Sequence, residues 1–176
     1  MESFMDLVKI ILQYLLLPAL SAIFTYLFMR YKAKVSENDV HDRAIFYRVD
    51  SIVSSDYVAG IVHDAQLGYL QLLSHSKSDD LFYFNQNAAN QFLDKKLQQS
   101  YLKFDDALHK LSALYAFSSY ADFVDNEKKV VKLIYHKRGN IEGAEDKLMS
   151  ENLELAGELE KTYRSFRLLI KSRFSI

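Results

Sequence analysis

The sequence predicts an all-α protein, with a single N-terminal transmembrane helix followed by a cytoplasmic antiparallel helical bundle of long helices. The 176 residues include one proline and five glycines, which are fewer turn-forming residues than β-sheet folds need. Residues 7–29 form an apolar run in which Lys9 is the only charge. After this run, apolar residues recur at helical spacing along most of the chain.

The run from Leu7 to Met29 is long enough to cross a membrane, because about 20 helical residues span a hydrocarbon layer of roughly 30 Å. Polar residues after Lys9 are too few to form the continuous stripe of a helix in a soluble core. A cleaved secretory signal and a buried helix are the alternatives. Apolar residues continue up to a basic flank, which favours a retained anchor. Pro18 lies inside the run and predicts a bend in the helix.

Basic residues determine the predicted topology. Arg30, Lys32 and Lys34 follow the run directly, and excess Lys and Arg mark the cytoplasmic side of a span. We therefore expect a short tail, residues 1–6, outside the cell, a span at 7–29, a basic juxtamembrane linker at 30–37, and a cytoplasmic domain at 38–176. The lipid bilayer is the first predicted partner.

Composition restricts the functions of the domain. The chain has no cysteine, which excludes disulfide-stabilised modules and cysteine-ligated metal sites. Residues 1–34 hold two acidic and four basic side chains, so 21 acidic and 18 basic residues remain in the other 142, a net charge of −3. This balance argues against nucleic acid as a partner.

Cap signals and periodicity predict the first three helices of the domain. Ser36 to Asp39 resemble an N-cap for a helix over about 38–53. Ser54 to Asp56 form a second cap signal, for a helix ending near His75. Asp79 or Asp80 then caps a third helix that reaches Tyr115. Because residues 69–138 contain no glycine or proline, we favour one long element over the alternative of two helices with a local kink.

The remaining segments are less uniform. Val130 to Tyr135 form a β-branched run that predicts a short extended segment or one more helix, and residues 124–143 stay open between strand, helix and loop. From Ala144 onward the pattern predicts a helix that packs on the third one. Its apolar residues recur at coiled-coil-like spacings of seven and four: Leu148, Leu155, Leu159, Phe166 and Ile170.

Three segments carry a resemblance. HDRAIFYRVDSIV, FLDKKLQQSYLKFDDALHKLSALYAF and YRSFRLLIKSRFSI together resemble a loose group of uncharacterised bacterial helical proteins, many of them membrane-tethered. The resemblance covers most of residues 41–176 and implies a helical fold at the bacterial inner membrane. It implies no activity and no functional residues.

Chemical motifs point away from catalysis. Two HD pairs, His41-Asp42 and His63-Asp64, are reminiscent of metal-dependent phosphohydrolases, but too few further ligands accompany them and solvated or capping side chains are the simpler interpretation. Adjacent carboxylates on a helix point about 100° apart and do not converge across a cleft. The chain has no G-x-S-x-G motif and no glycine-rich phosphate loop. We therefore predict a protein that is not an enzyme and has no cofactor or metal.

Two surfaces are candidates for binding. Phe82, Tyr83 and Phe84 are consecutive, so they cannot share one helix face, and one of them is expected to be exposed or to meet a partner. The alternative is ordinary core packing by a neighbouring helix. Arg164, Arg167 and Lys171 form a basic stripe that could face anionic headgroups or an acidic partner. Alternatively these cations complement the dipole of the last helix.

Two functions are consistent with these features. In the first, the anchor holds a helical interaction or sensor module that recruits a protein partner or a second copy of itself at the inner membrane face. In the second, the protein is a membrane-perturbing effector of the bacterial stress or antiviral type, which acts through oligomerisation of its single span. One poorly amphipathic span lines a pore badly, so we favour the first function.

Overall fold

A computed structural model of the protein describes residues 16–71, 73–117, 121–125, 130–133 and 144–175. The chain divides into two units, Met1–Val40 and His41–Ile176. The described elements, in chain order, are α1 (Leu17–Ile52), α2 (Ser55–Gln66), β1 (Tyr69–Gln71), α3 (Leu73–Gln86), a 3-10 turn (Ala88–Asn90), α4 (Lys95–Phe117), β2 (Ala121–Asp125), β3 (Val130–Leu133) and α5 (Ala144–Phe174).

In the first unit, the described residues form the N-terminal part of α1. Every residue from 16 to 34 is exposed, and many of these residues have large apolar side chains. Of the predicted span, Leu7 and the rest of residues 7–15 lie outside the described residues. None of the helices in the described part of the chain is long and apolar enough to cross a membrane.

The core of the second unit forms where α4 and α5 pack side by side. Asp94 pairs with Arg173 near one end of the two helices, and Tyr115 bonds to Asn152 further along, so they run antiparallel. Phe166 of α5 lies at the centre of an aromatic cluster. Its ring centroid is 5.6 Å to 6.2 Å from four other rings, those of Phe46, Phe92, Tyr101 and Phe104. The predicted packing of the last helix on the third is confirmed.

A small antiparallel sheet accompanies the helices, with strand order β1-β3-β2. Tyr69 pairs with Lys132 across β1 and β3. The pairing of β2 with β3 is irregular between Phe123 and Asp125. The all-α prediction is therefore wrong in this respect: the fold is mostly helical, and the extended alternative for residues 130–133 is the correct one.

The second predicted helix ends earlier than expected. Its N-cap is confirmed, since the hydroxyl of Ser54 accepts a hydrogen bond from the backbone N–H of Tyr57 at 3.3 Å. Helix α2 then stops at Gln66 instead of near His75. Gly68 has a φ of 76°, a left-handed conformation that favours glycine and ends helices. The chain leaves this turn as strand β1.

Two other predicted helix boundaries are wrong. Ser36 and Asp39 lie inside α1 and cap no new helix, because the helical conformation continues through them up to Ile52 without an intervening glycine or proline. The third predicted helix is two helices, α3 and α4, and Asp79 and Asp80 lie inside α3.

Asparagine and aspartate side chains cause the break between α3 and α4. Asn87 caps the 3-10 turn by accepting from the N–H of Ala89. Asp94 accepts from the N–H groups of Lys96 and Leu97 and so starts α4. Such local side-chain bonds compete with a continuous helix without requiring glycine or proline.

Candidate functional site

The most developed site is a groove between α2 and α5, with a volume of about 530 Å³. Ala65 near the end of α2 lies at Asn152, whereas Ser55 at its start lies near Tyr163, so α2 and α5 run antiparallel. The apolar floor is made by Val58, Ala59 and Val62. Polar side chains surround it: Ser55, His63, Gln66, Glu160, Tyr163, Arg164 and Arg167.

Tyr163 places a polar group inside this groove. The side chain is buried, and its hydroxyl makes no hydrogen bond of standard geometry within the described part of the chain, although the Ser55 side chain lies close enough to interact with it. Burial raises the pKa of Tyr163, while Arg167 and Ser55 act in the opposite direction. The hydroxyl therefore stays protonated at neutral pH and can donate a hydrogen bond.

Arg167 and Arg164 have different environments although they are one turn apart. The guanidinium of Arg167 donates to the Asp50 carboxylate at 2.6 Å and lies over the Phe46 ring, 4.9 Å from its centroid. Arg164 is exposed and forms no ion pair with the described residues. Arg167 is thus held in place by the fold, and Arg164 is the cation that a ligand can pair with.

A second groove, of about 440 Å³, adjoins the first at these arginines. Its walls include Phe46, Tyr47 and Leu168, and Lys171 lies at its edge. The predicted basic stripe of Arg164, Arg167 and Lys171 therefore follows the line between the two grooves. Sequence reasoning identified the stripe, but it did not identify α2 as the opposite wall, because nothing in the periodicity of α2 shows which helix it packs on.

The three consecutive aromatics of α3 divide between core and surface. Phe84 is 8 % exposed and packs under Arg48, whose guanidinium lies 5.1 Å from the ring centroid. Phe82 and Tyr83 are 48 % and 68 % exposed, and their rings lie edge to face at 5.8 Å. The candidate partner surface thus contains Phe82 and Tyr83, and Phe84 belongs to the interior.

The two HD pairs have separate roles. Asp42 is fully buried and accepts hydrogen bonds from the N–H groups of Leu93 and Asp94, at 2.6 Å and 3.0 Å. His41 donates to the carbonyl of Gln91 at 3.0 Å. This pair fastens the loop before α4 to α1, whereas His63 faces the first groove. Within the described residues no group of three or more acidic or histidine side chains is placed to hold a metal ion.

A buried polar group lies where α3 meets α4. Asn85 donates to one oxygen of Asp105 at 2.8 Å and accepts from the Tyr101 hydroxyl at 2.6 Å. The other Asp105 oxygen makes no hydrogen bond in the described part of the chain, and His109 lies 3.5 Å from it. Burial raises the pKa of Asp105, and His109 and Asn85 oppose this shift.

From Leu17 onward, the described residues of the predicted anchor lie on α1. Pro18 is the second residue of the helix as described, and Met29 is exposed and lies directly before Arg30. Arg30 and Lys32 are exposed as well, and the ammonium of Lys32 lies 5.1 Å from the centroid of the Phe28 ring. The basic residues thus lie on the same helix as the apolar ones, without a break between them.

No family model matches the chain. Comparison with curated proteins finds none that is similar, and comparison with solved structures finds no similar fold.

Proposed function

We propose that the protein is a non-enzymatic, single-pass membrane protein whose helical domain holds or recruits a protein partner at the inner face of the bacterial cell membrane. The observation that carries this proposal is the exposed apolar part of α1. A globular protein in water rarely leaves so large an apolar surface uncovered.

The apolar part of α1 is exposed on all its sides, which favours lipid over a protein partner as what covers this surface. One partner helix covers one face, whereas a bilayer contacts the whole circumference. The exposed side chains in question are Leu16, Leu17, Leu20, Ile23, Phe24, Tyr26, Leu27, Phe28, Met29 and Tyr31. Together with the apolar residues 7–15 they have the length of a span, and Arg30, Lys32 and Lys34 fit the cytoplasmic boundary.

The role of the domain is supported by its exposed aromatics. Phe82 and Tyr83 are large apolar groups that lie side by side on the surface of a domain with its own core. Aromatic pairs of this kind supply much of the binding energy at protein interfaces. A tether with such a surface concentrates its partner at the membrane.

Site-specific photocrosslinking tests the recruiting role. We expect a photoreactive residue in place of Tyr83 to give one defined protein adduct in cells, and one in place of Met149, which is 50 % exposed on α5, to give none. Changing Phe82 to Ala should remove the adduct at position 83 while the helix content measured by circular dichroism stays unchanged. Equal adducts at both positions, or none at position 83, would contradict the proposal.

Membrane perturbation is the second candidate function. Small side chains on exposed α1, Ala19, Ser21 and Ala22, allow close approach of two spans, and the hydroxyl of Thr25 is bonded to the Ser21 carbonyl at 2.8 Å. Replacing residues 7–29 by an unrelated apolar helix distinguishes the two functions. A tether keeps its function after the exchange, whereas a specific effector loses any membrane depolarisation on overexpression.

A further inference from the structure

The groove between α2 and α5 contains a buried polar group whose hydrogen bonding the fold leaves incomplete. Val58 and Val62 are buried beneath it, so its floor is a fixed part of the core. The Tyr163 hydroxyl lies inside with no hydrogen bond of standard geometry in the described residues and with the Ser55 side chain nearby, although an incompletely bonded buried group normally costs stability. A buried donor that the fold satisfies incompletely is typical of a site that a ligand completes.

The two ends of the groove differ in charge. Because α2 and α5 run antiparallel, Ser55, Tyr163 and Arg164 lie at one end, with Glu160 one helical turn from Arg164, and His63 and Gln66 lie towards the other. The first end also holds the N-terminus of α2, whose dipole favours an anion.

We propose that this groove binds a small organic monocarboxylate. Its carboxylate pairs with Arg164 and accepts a hydrogen bond from the Tyr163 hydroxyl, and its apolar body lies on Val58, Ala59 and Val62. A guanidinium and a carboxylate make two parallel hydrogen bonds, which fixes the orientation of the ligand. This ligand site is a property additional to the proposed recruitment of a protein partner, and it does not depend on that recruitment.

Charges around the groove select a single carboxylate. Asp50 neutralises Arg167, and Asp56 adds a negative charge in the first turn of α2, so a phosphate dianion meets more repulsion than a carboxylate. Glu160, one turn from Arg164, adds a further negative charge beside the site and so disfavours a ligand with a second carboxylate. The apolar floor favours an aromatic or alkyl body over a sugar.

Calorimetric titration of the full chain in nanodiscs of neutral phosphatidylcholine tests the site. We expect 3-phenylpropanoate to bind saturably at one site with a dissociation constant between about 10 µM and a few mM, the range for roughly ten heavy atoms. Terephthalate, which carries a carboxylate at each end, should bind at least tenfold more weakly. The natural ligand could be a lipid-derived alkyl acid or a soluble aromatic acid, and octanoate distinguishes the two. If octanoate binds more tightly than 3-phenylpropanoate, the ligand is a lipid-derived acid; if octanoate binds more weakly, the ligand is a soluble aromatic acid.

Three variants show whether the binding uses this groove. Arg164→Gln removes the charged partner and should weaken binding about tenfold or more. Lys171→Gln lies at the other groove and should leave the affinity unchanged. Tyr163→Phe should weaken binding several-fold while the melting temperature stays nearly the same or rises, since the hydroxyl makes no hydrogen bond of standard geometry that the substitution would remove. Absence of saturable binding, or equal affinities for the parent, Arg164→Gln and Tyr163→Phe proteins, would overturn the proposal.

Discussion

The guanidinium of Arg167 donates to the carboxylate of Asp50 at 2.6 Å, which connects α5 to the last turn of α1. Both side chains are 36 % exposed, so solvent screens the pair. In a double-mutant cycle of Asp50→Asn and Arg167→Gln, we expect a coupling energy of about 0.5–1 kcal/mol by chemical denaturation. A coupling of several kcal/mol would show that the pair is more buried than described.

Asn152 should contribute far more to stability than its exposed neighbours. Its amide donates to the carbonyl of Ala65 at 2.6 Å and accepts from the Tyr115 hydroxyl at 3.0 Å, all in the core. Asn152→Ala leaves these groups short of partners, and we expect the free energy of unfolding to fall by roughly 2–3 kcal/mol. Glu151→Ala, one residue away and exposed, is the control and should change it by less than about 0.5 kcal/mol. Equal effects of both substitutions would disprove the role of this network.

Two glycines should respond in opposite ways to the same substitution. A Cβ added at Gly157, in the middle of α5, meets nothing within 4 Å. Gly157→Ala should therefore raise the free energy of unfolding by about 0.5–1 kcal/mol, since alanine favours the helix. Gly68→Ala should lower it by about 1 kcal/mol or more, because the φ of 76° is strained with a side chain. Thermal melts of both variants check this, and a stabilised Gly68→Ala protein would contradict the described turn.

Asp105 makes stability depend on pH. Burial raises its pKa in the folded protein above the ordinary value of 3.8, so folding favours the protonated form. Its contribution is therefore fully present below about pH 4 and is lost as pH rises through the folded-state pKa. We expect Asp105→Asn to gain stability relative to the parent as pH rises from about 4, measured by urea denaturation at several pH values. A difference that stays constant, or that shifts in favour of the parent, would refute this assignment.

Sequence patterns predicted the features that local caps and apolar spacing determine, and they missed the features that depend on contacts between distant segments. The cap at Ser54 and the long last helix followed from local spacing. Strand β1 was missed because three residues show no periodicity, and its partner β3 is about 60 residues away. The break after α3 was missed because Asp42, 51 residues from Leu93, fastens it.

The candidate groove could be predicted only in part for the same reason. The basic stripe on α5 is visible as a helical spacing within one segment. The apolar floor from α2 and the incomplete hydrogen bonding of the Tyr163 hydroxyl depend on how two helices meet. Neither of these two features can be predicted from the sequence of one segment alone.

The membrane anchor is the central claim, and the absence of cysteine allows a direct test. Single cysteines replace Ser3 and Ser175, and each protein is treated in intact cells with a membrane-impermeant maleimide. A retained anchor with the domain in the cytoplasm predicts that Ser3→Cys is labelled from outside and that Ser175→Cys is labelled only after lysis. Labelling of Ser175→Cys in intact cells would contradict the account, because the domain would then lie outside.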